Sequence, residues 1–380
     1  MSTVRSTRPL QVLATDGGAR SSVVSTGHGS FPTPAFMPVG THASVKAVHP
    51  DELRQCGVQI VLCNAYHLAL RPGIDVVERS GGLHAFMGWA GPILTDSGGY
   101  QLVSLSRVAA VDDEAAVFVS PYDGSKLRVT PEDAVVIQAR LGADIAMCLD
   151  HPVAYGAGEE LTLQATERTH RWAERCRAAH ASNGMLLFGI TQGGFDVARR
   201  VDSARAIAAM DFDGIAIGGL AVGEPVDEML ALTAATVSEL PADRARYFMG
   251  LGTDAELLAM IALGIDMFDC VVPTRLARNG TALTPSGRLS LRNAAMRDDV
   301  RPIDEDCGCA ACATFSRAYL RHLFAAGEIL AHRLVSIHNL THLAALMANA
   351  REAIADGRFV AWRDEVEARL LLGPDTLLKQ

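Results

Sequence analysis

The chain lacks any run approaching the ~18 consecutive apolar residues of a membrane-spanning helix. Its opening residues, MSTVRSTRPLQV, contain no apolar signal core either. Both absences lead us to expect a cytoplasmic protein with no membrane partner. Positive charge is not in excess: 34 Lys and Arg against 43 Asp and Glu give −9. Contact with a phosphate backbone therefore has to come from a local patch. Aromatic platforms are scarce, with 3 Trp and 6 Tyr, which argues against a glycosidase acting on sugar chains. No strand-like segment is followed by a Walker pattern, and the Rossmann fingerprint is absent, so the glycine-rich loops are not nucleotide cradles. Neither an internal repeat nor a low-complexity linker divides the chain.

What is present is a long alternation. Eight apolar, β-prone runs recur at 34–40, 59–65, 93–98, 144–150, 186–194, 214–220, 246–252 and 267–272. Continuous apolar runs of this length suit strands buried on both faces, as in a parallel sheet. Helical spacing falls between them, as at 159–181 and 225–239, and in the segments opened by Thr130-Pro131-Glu132 and by a Thr253…Glu256 capping box. Eight such units in 380 residues predict an α/β fold, a (β/α)8 TIM barrel in one domain over 1–380, in preference to a doubly wound open sheet. Turn signals at Asp16-Gly17-Gly18 and Gly27-His28-Gly29 place an N-terminal antiparallel hairpin or sheet in 10–33. Asp123-Gly124 centres a second hairpin over 117–130. Residues 276–340, after the eighth strand, read as a metal-binding insertion.

Of the 8 cysteines, Cys56, Cys63, Cys148, Cys176 and Cys270 are isolated in apolar surroundings and read as core. The other three form Cys307-x-Cys309-x2-Cys312, with His338 in SIHNL downstream; His332 and His342 are its nearby competitors. Three thiolates and an imidazole make a closed tetrahedral set for one structural Zn2+.

Acids recur where barrel strands should end: Asp96, Asp150 and Asp269, with Gln192, Gly219, Met249 and Gly250 at comparable points. Converging carboxyls are costly to bury unless they serve chemistry or bind cations. Paired carboxyls are the recurrent solution for glycosidic bonds. Tyr100 and Met249 could cover the faces of a flat base. The segment 275–301 carries six arginines against two aspartates, a basic patch beside the predicted mouth.

The segments TPAFMPVGT, NAYHLALRPG, LTDSGGYQ, FGITQGG, IGGLAVGE, MFDCVVPTRLARNG, CxCxxC…H and SRAYLRHLFAAGEIL run in order along nearly the whole chain. Together they resemble the tRNA-guanine transglycosylase family of bacterial type. The resemblance implies covalent ping-pong exchange of a tRNA wobble guanine for a deazaguanine base. Asp269 would be the nucleophile and Asp96 the general acid/base. Asp150, Gln192, Gly219 and Ser97 would read the purine, with Leu220 and Glu224 at its aminomethyl group and Tyr100 and Met249 over its faces. Arg275 and Arg278 would hold the anticodon loop. It further implies a homodimer, and AVGE at 221–224 favours 7-aminomethyl-7-deazaguanine over queuine. Two positions depart from the pattern: Asp150 is followed by His151-Pro152-Val153 rather than Glu-Cys, and Ala65 stands where Thr is usual.

Other readings are a metal-dependent hydrolase, a queuine-salvaging transglycosylase and a tRNA-binding homologue without catalysis. The hydrolase would need an H-x-H after the first strand, where only His42 occurs. A pure binder has no use for both Asp96 and Asp269 beside RNA phosphates.

Overall fold

The side-chain alternation of the apolar runs decides the architecture. In the computed structural model, which describes residues 8–104, 108–181 and 184–373, eight parallel strands close on themselves. They are Ala35–Gly40, Val61–Asn64, Ile93–Asp96, Ile145–Met147, Leu186–Thr191, Gly214–Ile217, Ala245–Phe248 and Met267–Cys270, hereafter the first to eighth barrel strands. The eighth pairs with the first, so no edge is left open.

One set of alternate residues, including Met37, Leu62, Leu94, Met147, Phe188, Ile190, Tyr247 and Met267, fills the barrel interior. Residues of the other parity, such as Val61, Ile93, Leu187, Ile215, Phe248 and Phe268, pack outward in the clusters that include the surrounding helices. Because the period is two, Asn64, Asp96 and Asp269 share the interior parity of Leu62, Leu94 and Met267.

Several local expectations are met and others are refined. Thr130 caps Pro131–Leu141 through a reciprocal bond pair with Asp133. The Thr253 box does not form: its hydroxyl bonds the Glu256 carboxylate and leaves the helix amides of Asp254–Ala262 without a side-chain cap. Residues 10–33 make three antiparallel strands, Leu10–Asp16, Ala19–Thr26 and Gly29–Thr33, because each of the two turn signals reverses the chain. The sheet closes the floor of the barrel, its Leu10, Val24 and Phe31 joining the interior cluster. Arg20 locks it there, reaching the fully buried Asp266 and the carbonyls of Ala242 and Arg244. The second hairpin, Ala116–Val119 with Lys126–Val129, gains a third strand, Val108–Val111.

After the eighth strand the chain forms Val272–Arg278, the hairpin Thr281–Thr284/Gly287–Ser290, the cysteine segment and the 27-residue helix Ile329–Ala355. Among the described residues no helix is long and apolar enough to cross a membrane.

Candidate active site and metal centre

The mouth of the barrel is built from strand ends. Asn64 and Asp96 are register partners on neighbouring strands. Asn64 Nδ2 therefore donates to one Asp96 oxygen, and the Ala65 amide donates to the other at 3.0 Å. Across the mouth, Tyr247 rises from the seventh strand beside Met267 and its hydroxyl donates to Asp269 Oδ1 at 2.6 Å. The Gly250 amide donates to the same oxygen at 2.9 Å. Both aspartates keep a solvent-facing edge, whereas Asp150, Gln192 and Ser97 are buried. Gln192 Nε2 donates to Asp150 Oδ2 at 2.6 Å.

Burial separates these carboxyls from ordinary ones. Desolvation pushes Asp96 up to about 8, assisted by the charges of Asp269 and Asp150 and opposed by the Ala65 amide. Desolvation also raises Asp150, to about 6, against the Gln192 hydrogen bond. Asp269 is raised for the same reason but carries two opposing donors, Tyr247 and Gly250. All three carboxyls at the mouth therefore hold their protons more tightly than ordinary carboxyls do.

The glycine-rich loops after the fifth and sixth barrel strands are held by Arg200. Its guanidinium is fully buried and donates to the carbonyls of Gly194, Gly218 and Gly219 at 2.8, 2.7 and 3.1 Å. With no carboxylate bonded to it, desolvation lowers it to about 9. Two glycines permit close approach: a Cβ on Gly99 would collide with Asp150 Oδ1, and one on Gly219 (φ +66°) with Gln192 Oε1. The Glu224 carboxylate accepts from the amides of Ala221 and Val222 at 2.5 and 3.0 Å, bracing a turn in which Ala221 has φ +57°. Leu220 beside it is buried. Tyr100 is 58% exposed and Met249 partly buried.

At the departure from the family pattern, His151 accepts from Arg168 through Nδ1 at 3.0 Å, and burial with that cation lowers it to about 4. The histidine is therefore neutral at physiological pH.

Arg275 and Arg278 lie on Val272–Arg278, directly beyond the eighth strand; Arg275 is exposed, and Arg278 has one buried nitrogen without a partner. The rest of the basic stretch is less free than composition implies. Asp299 accepts from both Arg301 and Arg317, and Arg292 lies over the Phe324 ring.

The cysteine cluster assembles from separate elements. Cys309 caps the short helix Ala310–Thr314, on which Cys312 sits, and His338 comes from the long helix. The ligand atoms of Cys307, Cys309, Cys312 and His338 all lie within 4.8 Å of one another, with His338 Nδ1 3.2 Å from Cys312 Sγ and 3.7 Å from Cys309 Sγ. His338 Nε2 faces the Leu283 carbonyl at 2.7 Å, which puts that ring proton on the carbonyl and leaves Nδ1 free as a ligand. Hydrogen bonds from Cys307 and Cys312 hold the Cys309 thiol far below its ordinary range and raise Cys312, so the cluster readily carries a thiolate. The donor set and its spacing fit a metal ion. Its competitors are engaged elsewhere, His342 with Asp254 at 2.6 Å and His332 against Phe324. The five isolated cysteines are all buried, and desolvation raises Cys56, Cys63, Cys148 and Cys270.

Sequence reasoning did not find Asn64, Tyr247 or Arg200. Tyr247 has the interior parity of RYF, and Arg200 shares a helical stripe with Ser203, Ala204 and Ile207, all buried; both signals were available.

A closed parallel barrel with raised carboxyls at its C-terminal mouth and a Cys3His cluster beyond its last strand defines a class: (β/α)8 barrel proteins with a candidate site at the strand ends. Comparison narrows the class to one family. The model of the queuine tRNA-ribosyltransferase family matches residues 16–370, and the chain belongs to that family. It is 51% identical over 355 residues to a queuine tRNA-ribosyltransferase of Solidesulfovibrio magneticus, covering 93% of this chain and 95% of the relative. A Thermosynechococcus vestitus relative of the same name is 48% identical over 363 residues, covering 95% and 96%. One from Thiobacillus denitrificans is 49% identical over 362 residues, covering 95% and 99%. The chain is accordingly an enzyme of the pentosyltransferase class.

Proposed function

We propose that this enzyme is a cytoplasmic tRNA-guanine transglycosylase. It exchanges the wobble guanine of tRNAs with G-U-N anticodons for 7-aminomethyl-7-deazaguanine in queuosine biosynthesis. The observation that carries this reading is the pair of carboxyls at the mouth: Asp96, raised to about 8 by burial and by the charges of Asp269 and Asp150, and Asp269, whose burial is opposed by the Tyr247 hydroxyl and the Gly250 amide.

In the first half-reaction ionised Asp269 attacks C1′ of the ribose and the guanine leaves, taking a proton that Asp96 supplies; a covalent ribosyl-aspartate remains. In the second half-reaction the incoming base displaces Asp269 from C1′ and returns a proton to Asp96. Asp150 and Gln192 face the purine edge, with Ser97 and the Gly219 backbone beside them. Leu220 and the turn braced by Glu224 adjoin the aminomethyl group. Tyr100, exposed on its loop, and Met249 would close over the faces of the bound base. The exposed Arg275, with the half-buried Arg278 on the same short helix, suits the phosphates of the anticodon loop.

Zn2+ suits the cysteine cluster and, when bound, supplies a structural cross-link, because four protein ligands leave no position for a reacting group. Homodimer formation is supported by apolar surface on the same segment, where Val300 is 83% and Ile329 74% exposed and Phe315 stacks on Tyr319.

The test is incorporation of labelled guanine into unmodified tRNA by wild type and Asp269→Asn, with 7-aminomethyl-7-deazaguanine and queuine as competitors. Incorporation by wild type that vanishes in the variant, with the aminomethyl base the stronger competitor, is the expected result. Stronger competition by queuine would reassign the base. Binding of tRNA without any incorporation would replace the enzyme reading with a binding one.

A further inference from the structure

At the opposite end of the barrel three side chains from three separate segments meet. Asp144 immediately precedes the fourth barrel strand, His84 lies on the helix Gly82–Met87, and His28 sits in the turn between the second and third strands of the floor sheet. His28 Nδ1 is 2.8 Å from Asp144 Oδ1, and His84 Nε2 is 3.0 Å from Asp144 Oδ2. The imidazole rings stack with centroids 3.5 Å apart. One nitrogen of each ring and a carboxylate oxygen lie within 4.8 Å of one another.

The carboxylate is fixed without help from the imidazoles. The His28 amide donates to Oδ1 at 3.0 Å and the Ile93 amide to Oδ2 at 2.8 Å. Its main chain is tied to both neighbouring strands, Asp144 N to the Ile93 carbonyl and Leu186 N to the Asp144 carbonyl. Burial grades outward through the cluster: the Asp144 side chain is 1% exposed, His84 13% and His28 49%. The result is an immobile oxygen ligand, oriented by backbone amides, flanked by two imidazoles and open to water on the His28 side.

We propose that His28, His84 and Asp144 form a second metal site, distinct from the cysteine cluster, for a divalent first-row transition ion of the Zn2+, Co2+ or Ni2+ type. Two imidazole nitrogens and one carboxylate oxygen are a borderline donor set that suits such ions, with water completing the shell. On binding, each neutral ring carries its proton on the nitrogen facing away from the ion, so no oxidant or other reactant is needed. The amides on Asp144 supply the outer-sphere orientation that metal carboxylates require. A bound ion would clamp the turn of the floor sheet to the barrel wall, far from the reacting carboxyls.

The test is a titration of Co2+ into zinc-replete enzyme, followed by calorimetry and by visible absorption, with His28→Ala and His84→Ala in parallel. Both variants spare Asp144, which has a structural burden of its own, and retained guanine exchange would report that they fold. We expect wild type to bind one cobalt equivalent with the weak bands of nitrogen and oxygen ligation. Each variant should lose that equivalent or weaken it by roughly tenfold or more. Cobalt that enters only with intense thiolate charge-transfer absorption has gone to the cysteines and overturns the proposal. Undiminished binding in both variants overturns it as well, as does failure of wild type to take up the additional ion.

Discussion

Replacing Tyr247 with Phe removes a single oxygen, and the structure specifies what should follow. The hydroxyl donates to Asp269 Oδ1 at 2.6 Å and, with the Gly250 amide, is one of two donors that oppose the desolvation of this carboxyl. A hydrogen bond to a charged group contributes about 1.5–3 kcal/mol. At 1.36 kcal/mol per unit, its loss should raise the Asp269 pKa by about 1–2 units above its already raised value. The acidic limb of kcat/KM for guanine exchange, which reports the free enzyme, should move up by that amount. Below the limb the variant should be slower by about 10–100-fold, and the two enzymes should converge as pH rises toward the Asp96 limb.

Stability supplies an independent readout. A carboxyl whose folded pKa is raised contributes stability that is complete below its unfolded value, about 3.9, and is lost as pH rises through the folded value. Tyr247→Phe extends that loss. In urea titrations the variant should lie close to wild type near pH 4 and fall behind toward neutral pH, by up to about 1.5–3 kcal/mol. A rate that drops equally at every pH, with the limb in place, would refute the reasoning. The hydroxyl would then position Asp269 rather than tune it.

Three further outcomes follow from the same geometry. Asp96, raised to about 8, should donate its proton at neutral pH, so guanine exchange should decline above about pH 8; a flat profile to pH 9.5 or so would exclude it as the acid. Arg278→Ala should weaken tRNA binding without changing which tRNA is chosen, and should reduce the slope of log affinity against log salt by about 0.7–0.9. An unchanged slope would place the phosphate contact elsewhere. Arg20→Ala strands the buried Asp266 and should cost about 3–5 kcal/mol in neutral urea unfolding. Because the loss of Arg20 drives the already raised Asp266 pKa further up, the deficit should shrink as pH falls through the variant's and then the wild type's folded Asp266 pKa, above the unfolded carboxyl value.

The barrel was legible because strands buried on both faces leave unbroken apolar runs, and the cysteine cluster because three thiols in six residues have few other uses. The acids were legible by position, since Asp96 closes its strand and Asp269 stands one residue before the end of its own. What holds them was not. Asn64 acts on Asp96 only through the register of two adjacent strands, and register is a tertiary property that no single segment encodes. Arg200 is hidden differently. It follows the partly buried Arg199 in a basic-looking segment, and only the stripe of 200, 203, 204 and 207 separates the buried cation from the surface one. The floor was legible as an antiparallel hairpin or sheet in 10–33, and its two turn signals account for the three strands.

The proposed function presents a paradox in charge: a chain at −9 gathers three aspartates at the mouth that, on that reading, approaches RNA phosphates. The structure resolves it through the same burial that prepares the chemistry. Asp96 is neutral below about 8, Asp150 is raised to about 6, and Asp269 is raised as well. The mouth therefore carries fewer than three negative charges when a polyanion arrives. Desolvation that would be a pure penalty in a binding protein here suppresses repulsion and, on the proposed mechanism, stores a proton for the leaving base. Tyr247 and Gly250 oppose that burial at Asp269, the carboxyl proposed to attack. The floor differs: Asp266 is buried against Arg20 and Asp144 against two backbone amides, and both tie the floor sheet to the barrel on which the mouth depends.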